Sequence, residues 1–187
     1  MDKKRILVVA SCANSLINFR GDYIQRLISE GYDVYTAVDD YPDKVLKKLK
    51  EYGVKAPLEY YLQRTGLNPF NDLKTISNLK KLIKENKIDL VLPYTVKPVI
   101  YSSLAANMCK VPAISLITGL GFTFTGLTLK SKILQHLNEF LYKLSIRKNK
   151  VVVFQNNDDR KLFFERKILR KSNKTEVVSG SGVNLDQ

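Results

Sequence analysis

Short runs of apolar, often β-branched residues alternate with helix-periodic segments along the whole chain, and this alternation constrains the fold more than any motif. Ile6–Ala10 is short and wholly apolar, as expected of a central parallel strand covered on both faces. Residues 19–30 place Tyr23, Ile24, Leu27 and Ile28 at helical spacing and stop at Gly31, a natural residue just past a helix end. The same reading gives strands at Asp33–Val38, Leu58–Leu62, Asp89–Leu92, Ala113–Ile117, Val151–Phe154 and Thr175–Val178. Between them it gives helices at 42–52, 71–86, 99–108, 130–147 and 158–167. Seven strand candidates alternating with helices specify an α/β fold, a Rossmann-like doubly wound parallel sheet of about seven strands. No internal repeat or low-complexity segment interrupts it.

Composition narrows what such a sheet serves. A chain of 187 residues, 44% hydrophobic and 26% charged, fits one ordinary globular domain and buries a core without staples. Two cysteines, Cys12 and Cys109, make no disulfide framework, and a single histidine leaves no zinc spacing, so no metal site is expected. A reducing, cytoplasmic setting is the simplest reading. The apolar run after the basic start is too short for a signal peptide, and no segment approaches the roughly 18 apolar residues of a membrane span. The net charge is +13, with thirteen Lys and Arg between Lys130 and Lys174 against Glu139, Asp158, Asp159 and Glu165. Nucleic acid, an anionic membrane surface and a phosphorylated small molecule all suit that charge.

In open α/β sheets, ligands bind beyond the carboxyl ends of the strands. That points to the loops 11–20, 63–70, 94–98, 118–126 and 180–184. The first has neither G-x-G-x-x-G nor a Walker A sequence, so nicotinamide-dependent and P-loop chemistries fall away. Its small and amide residues still let backbone N–H groups approach a phosphate at a helix start. In the second, Arg64 stands beside Gly66 and a turn, suited to bidentate recognition of phosphate or carboxylate, or equally to a solvated turn. Thr118-Gly-Leu-Gly121 and Gly180-Ser-Gly182 have glycines that allow close backbone approach.

Several features are decoys. His136 lies within a helical pattern, and no Ser/His/Asp or Cys/His set can be built around it. Glu51 and Glu59 imitate a paired-glutamate spacing, yet Gly53 and Pro57 keep them off one helix face. Cys12 has no visible base and reads as a small packed side chain. Phe163 and Phe164 beside Arg166 could stack bases, but they fit a buried helix face and no RNA-binding motif accompanies them. The stripe Leu129, Ile133, Leu137, Phe140, Leu141 and Leu144, flanked by Lys130, Lys132, Lys143, Arg147 and Lys148, serves either core packing or docking on an anionic bilayer.

Taken in order, six blocks carry a resemblance: Ser11-Cys-Ala-Asn-Ser-Leu-Ile-Asn-Phe-Arg20, Arg64-Thr-Gly-Leu-Asn-Pro69, Tyr94-Thr-Val-Lys-Pro98, Ile117-Thr-Gly-Leu-Gly121, Phe154-Gln-Asn156 with Asp158 and Asp159, and Gly180-Ser-Gly-Val-Asn184. The chain resembles the amino-terminal domain of family 4 glycosyltransferases, and within them the bacterial enzymes of capsule, O-antigen and lipid-linked oligosaccharide assembly. The resemblance implies one half of a GT-B fold, residues 1–179, with 180–187 starting an interdomain hinge. It implies retaining transfer from a nucleotide sugar to a polyprenyl-diphosphate-linked saccharide, with no cofactor and no metal.

In that family the amino-terminal half mainly holds the acceptor and meets donor phosphates through its first loop, while a carboxyl-terminal half binds the nucleotide and carries paired glutamates. That half is not expected within these residues, so the catalytic residues stay unassigned. Arg64 and Lys97 are then expected to contact acceptor phosphate or sugar, with Asn14, Asn18 and Arg20 near the sugar or diphosphate. Thr118, Gly119 and Gly121 would border the ligand, and Gly180, Ser181 and Gly182 would face the donor side. Many relatives have a histidine where this chain has Thr118, so no histidine role carries over. The expected partners are a nucleotide sugar, the lipid-linked saccharide and an anionic membrane surface, not nucleic acid, at the inner face of the cell membrane. The alternative is a stand-alone binding or regulatory subunit that needs a partner chain for activity.

Overall fold

The structure, a computed structural model, describes residues 3–63, 68–119 and 129–180, with backbone alone for 129–132. Arg64, Gly121, Ser181 and Gly182, all singled out above, lie outside the described residues.

The chain runs β1 (Arg5–Val9), α1 (Ala13–Asn18), α2 (Gly21–Ser29), β2 (Asp33–Val38), α3 (Asp43–Tyr52), β3 (Ala56–Glu59), α4 (Pro69–Glu85), β4 (Leu90–Pro93), α5 (Val96–Cys109), β5 (Ile114–Ile117), α6 (Leu129–Ile146), β6 (Val151–Phe154), α7 (Asn157–Glu165) and β7 (Thr175–Val177). All pairings are parallel, in two ladders ordered β3-β2-β1-β4 and β5-β6-β7. Bridges from Val91 to Ala113 and from Tyr94 to Leu116 join the ladders at β4 and β5. The strand order is thus 3-2-1-4-5-6-7, the doubly wound arrangement expected from the alternation.

Alternation along the strands builds two cores. Leu7, Val9, Ala37, Val91, Ile117, Val152 and Phe154 face one way and meet Leu79 and Ile83 of α4, Val99 and Ala105 of α5, Tyr142 of α6 and Phe163 of α7. Ile6, Val8, Val34, Val38 and Leu92 face the other way, under Leu16 of α1, Ile24 of α2 and Leu49 of α3. Each fully buried large side chain contributes about 1.5–3 kcal/mol. The small residues of α5 do let it lie close: Ser102, Ser103, Ala105 and Ala106 are all buried. Ser103, Ser115 and Asn149 close a buried hydrogen-bonded cluster that fixes the turn after α6 to β5. Gly21 lets the Tyr52 ring lie close, since a Cβ there would come within 2.9 Å of its hydroxyl.

Four local expectations shift. The segment 11–20, read as a loop, contains the six-residue helix α1, with Ser15 Oγ donating to the Cys12 carbonyl in its first turn. β3 begins at Ala56 rather than Leu58, because Lys55 N–H already reaches the Val34 carbonyl and Tyr60 N–H closes the pairing at Val38. α4 starts at Pro69, where Asn68 caps Phe70 N–H at 3.1 Å and proline occupies a first-turn position that needs no donor. α5 starts at Val96, so most of the expected 94–98 loop is helix, with Pro98 in the first turn.

The largest difference is the orientation of α6. Of its apolar stripe, Leu141 packs against the core, while Ile133 is 63% exposed, Leu137 40%, Phe140 54% and Leu144 52%. The inward face carries Gln135, Asn138, Glu139, Tyr142, Ser145 and Ile146. Gln135 donates to Glu139 at 3.0 Å, and Arg166 stands 3.8 Å from the same carboxylate, so these polar groups are buried with partners.

Candidate functional site

The strand order reverses between β1 and β4, and the crevice beyond their carboxyl ends is where such sheets bind ligands. β1 delivers Ser11 there, and β4 delivers Tyr94 and Thr95. Thr95 Oγ1 donates to Ser11 Oγ at 3.1 Å, and Ser15 Oγ lies 2.7 Å from the Tyr94 hydroxyl. Thr95 holds φ 67° and ψ 159° at the entry to α5, an unusual backbone for a β-branched residue. Such outliers persist only where the surroundings over-determine them, and they concentrate at functional sites.

Arg20, between α1 and α2, is the pivotal side chain. Only 7% exposed, its guanidinium lies over the Tyr94 ring, 4.9 Å from the centroid. One Nη donates to the Phe19 carbonyl at 2.9 Å, while Nε is buried without a hydrogen-bond partner among the described residues. Among the described residues no carboxylate forms an ion pair with it, and burial lowers its pKa, which the Tyr94 and Tyr23 hydroxyls partly oppose. Tyr94 is in turn pushed up to about 12 by burial, against the Ser15 hydrogen bond and the Arg20 charge. A guanidinium is suited to anionic oxygens wherever its remaining N–H groups can be reached.

Arg20 borders a cavity of about 790 Å³, together with Asn18, Phe19, Tyr23, Tyr94 and Gly180. Of the expected site residues, Asn18, Arg20 and Gly180 are thus brought to one space, while Asn14 is exposed on α1. Thr118 and Gly119 follow β5 at the same sheet edge. Gly119 has φ 128°, a backbone that favours glycine, and no atom of the described residues lies within 4 Å of where a Cβ would stand.

Lys97 belongs to a second cluster, at the first turns of α4 and α5. Its Nζ donates to the Gln63 carbonyl at 2.6 Å, and Asn71 Nδ2 donates to Gln63 Oε1 at 2.7 Å. Tyr101 donates to Asp72 at 2.6 Å beside them. Burial lowers the Lys97 pKa while Asp72 acts the other way. Lys97 therefore fastens the chain leading into the 64–67 segment. Sequence reasoning passed over Tyr94, Ser15, Asp72 and Tyr101. Tyr94 was findable, since it stands at the end of a central strand inside one of the blocks quoted above.

Residues 5–156 match the family model described as glycosyl transferase 4-like. The chain belongs to that family. A curated relative, the N,N'-diacetylbacillosaminyl-diphospho-undecaprenol alpha-1,3-N-acetylgalactosaminyltransferase of Campylobacter jejuni, is 29% identical over 182 residues, 97% of this chain and 47% of that protein. The chain thus spans about half the length of the curated relative it matches. Among solved structures, a glycosyltransferase from Rickettsia africae aligns with TM-score 0.69 at 20% identity, over all of this chain and 45% of that one. MurG of Acinetobacter baumannii aligns with TM-score 0.62 at 16% identity, over all of this chain and 48% of that one. These likenesses are of fold: the GT4-like chain has the architecture of one half of a GT-B molecule. Among the described residues, no helix is long and apolar enough to cross a membrane.

Proposed function

We propose that this chain is the acceptor-side half of a retaining glycosyltransferase, moving a sugar from a nucleotide sugar to a saccharide carried on a polyprenyl diphosphate. The observation that carries the reading is the Campylobacter relative, matched over 97% of this chain and named for a diphospho-undecaprenol-linked acceptor. The geometry supports it at Arg20, a largely buried cation that lines a large cavity on the edge where such sheets bind ligands. In this reading Arg20 meets a phosphate oxygen, Asn18 and Gly119 border the sugar, and Lys97 holds the Gln63 carbonyl. The paired carboxylates and the nucleotide site belong to the other half, and transfer needs no metal ion.

The same reading places the protein at the inner face of the cell membrane. The outward apolar stripe of α6 is a face without a partner among the described residues, and Lys143 and Lys148 lie on or just after that helix. An apolar stripe beside cations, on a chain of net charge +13, suits the boundary between acyl chains and anionic headgroups, where a lipid-linked acceptor resides.

Equilibrium binding of a polyprenyl-diphosphate-linked saccharide to this chain tests the assignment. Arg20→Met is expected to weaken binding by about tenfold or more, since a charge-assisted hydrogen bond is worth about 1.5–3 kcal/mol. Arg20→Lys should recover part of the loss. Unchanged affinity in Arg20→Met would remove Arg20 from the phosphate site.

A further inference from the structure

Two residues, Tyr94 and Thr95, carry the chain from β4 into α5, and in those two steps it changes face of the sheet. Tyr94 packs in the core under α1 to α3, while Val99 and Tyr101 of α5 belong to the opposite core. Tyr94 supports Arg20 with its ring, and Lys97 on the other side holds the Gln63 carbonyl. Thr95 is thus the joint between the two clusters described above. Its φ of 67° with ψ of 159° lies outside the left-handed helical well, in a region that is essentially glycine's. Lys110, also at positive φ, has ψ 29° and sits in the ordinary well. Just past the neighbouring strand β5, the residue at φ 128° is Gly119. A β-branched residue at position 95 therefore carries a conformational cost that glycine would not.

Threonine commonly caps the helix it precedes, yet the Thr95 side chain makes no cap to α5; its Oγ1 donates to Ser11 Oγ at 3.1 Å instead. That bond comes where the backbone ladder stops. β1 and β4 pair as far as Val9 and Pro93, and Tyr94 N–H to the Val9 carbonyl is the last backbone bond between them among the described residues. Beyond it β1 leads to α1 on one face and β4 to α5 on the other, so the two exits part. Thr95–Ser11 and Tyr94–Ser15 are the side-chain bonds that span the gap. We infer that Thr95 is a positioning residue of the acceptor site: its hydroxyl locks the exit of β4 to the exit of β1 and so fixes α1, and Arg20 just past it, against Tyr94. The inference rests on the reading of this chain as the acceptor-side half of a transferase. The Arg20 guanidinium is held by the Tyr94 ring and the Phe19 carbonyl, so a shift of α1 against β4 moves it directly. A strained backbone kept for the sake of one side-chain bond is what a functional constraint leaves behind.

Three variants separate the hydroxyl from the backbone. Thr95→Gly relieves the strain and lacks the hydroxyl, Thr95→Val keeps the strain and lacks the hydroxyl, and Thr95→Ser keeps the hydroxyl. Each is measured for binding of a polyprenyl-diphosphate-linked saccharide and for thermal unfolding. Modification of Arg20 by phenylglyoxal is followed by mass spectrometry, with exposed Arg170 as the internal reference. Affinity should fall about fivefold in Thr95→Gly and Thr95→Val alike, as expected for the loss of one hydrogen bond, with Arg20 modified several-fold faster in both. Thr95→Ser should recover most of both effects. Unfolding should rank differently, with Thr95→Gly more heat-stable than Thr95→Val, because only glycine relieves the backbone. Affinity that follows heat stability instead, with Thr95→Gly close to the parent, would make Thr95 structural and overturn the proposal. A fall in affinity with Arg20 modification unchanged would put the Thr95 hydroxyl on the ligand itself and overturn the positioning role. If the parent chain binds no acceptor while Arg20 is still released in Thr95→Gly and Thr95→Val, the positioning role stands and the acceptor assignment fails.

Discussion

At the scale of single residues, the site is organised by a tyrosine that looks unremarkable in the sequence. Tyr94 directly follows β4, pairs with Ser15 through its hydroxyl and supports Arg20 with its ring. Tyr94→Phe keeps the ring and removes only the hydroxyl. It is expected to lower stability by about 1 kcal/mol, the usual worth of a hydrogen bond, while acceptor affinity falls less than in Arg20→Met. Chemical denaturation beside the binding assay checks both; a Tyr94→Phe protein as impaired in binding as Arg20→Met would mean that the hydroxyl itself meets the ligand. Arg20 could be picked out from the sequence as a cation in the first loop, but not its burial, which depends on Tyr94, seventy-four positions away. Lys97 was legible as a cation near the edge of the sheet. Its bond to the Gln63 carbonyl was not, because α5 begins before Pro98 and turns that side chain toward the neighbouring loop.

At the scale of elements, periodicity located the strands well and the helices nearly as well. It failed where an element is short or its inner face is polar. α1 has six residues, too few for a repeating apolar face, so it read as loop. α6 has a clear apolar stripe, and an apolar stripe usually marks the buried side. Here Gln135 and Glu139 satisfy one another on the inside, while Ile133, Leu137, Phe140 and Leu144 face out. Periodicity reports that a helix has two faces; what covers each is decided by tertiary contacts. Replacing Leu137 and Phe140 together with serine should therefore cost little stability, within about 1 kcal/mol, as expected at exposed positions. Co-sedimentation with vesicles containing anionic lipid should fall several-fold in the same protein. A large drop in melting temperature with vesicle binding intact would instead make this face part of a folded interface.

At the scale of the whole molecule, the strand order sets where the candidate site opens. The reversal between β1 and β4 opens the crevice that Arg20 and Tyr94 line. The seven-strand doubly wound sheet was legible from alternation alone. The division of labour between two halves, proposed above, was not: it rests on the resemblance carried by the six blocks. The central claim is that these residues hold the acceptor and not the donor. Isothermal titration of residues 1–187 with a polyprenyl-diphosphate-linked saccharide and, separately, with nucleotide sugars tests it most directly. The account predicts saturable binding of the lipid-linked acceptor, no measurable affinity for the nucleotide sugars and no turnover when both are present. Tight binding of a nucleotide sugar with no response to the acceptor, or sugar transfer by these residues alone, would contradict it.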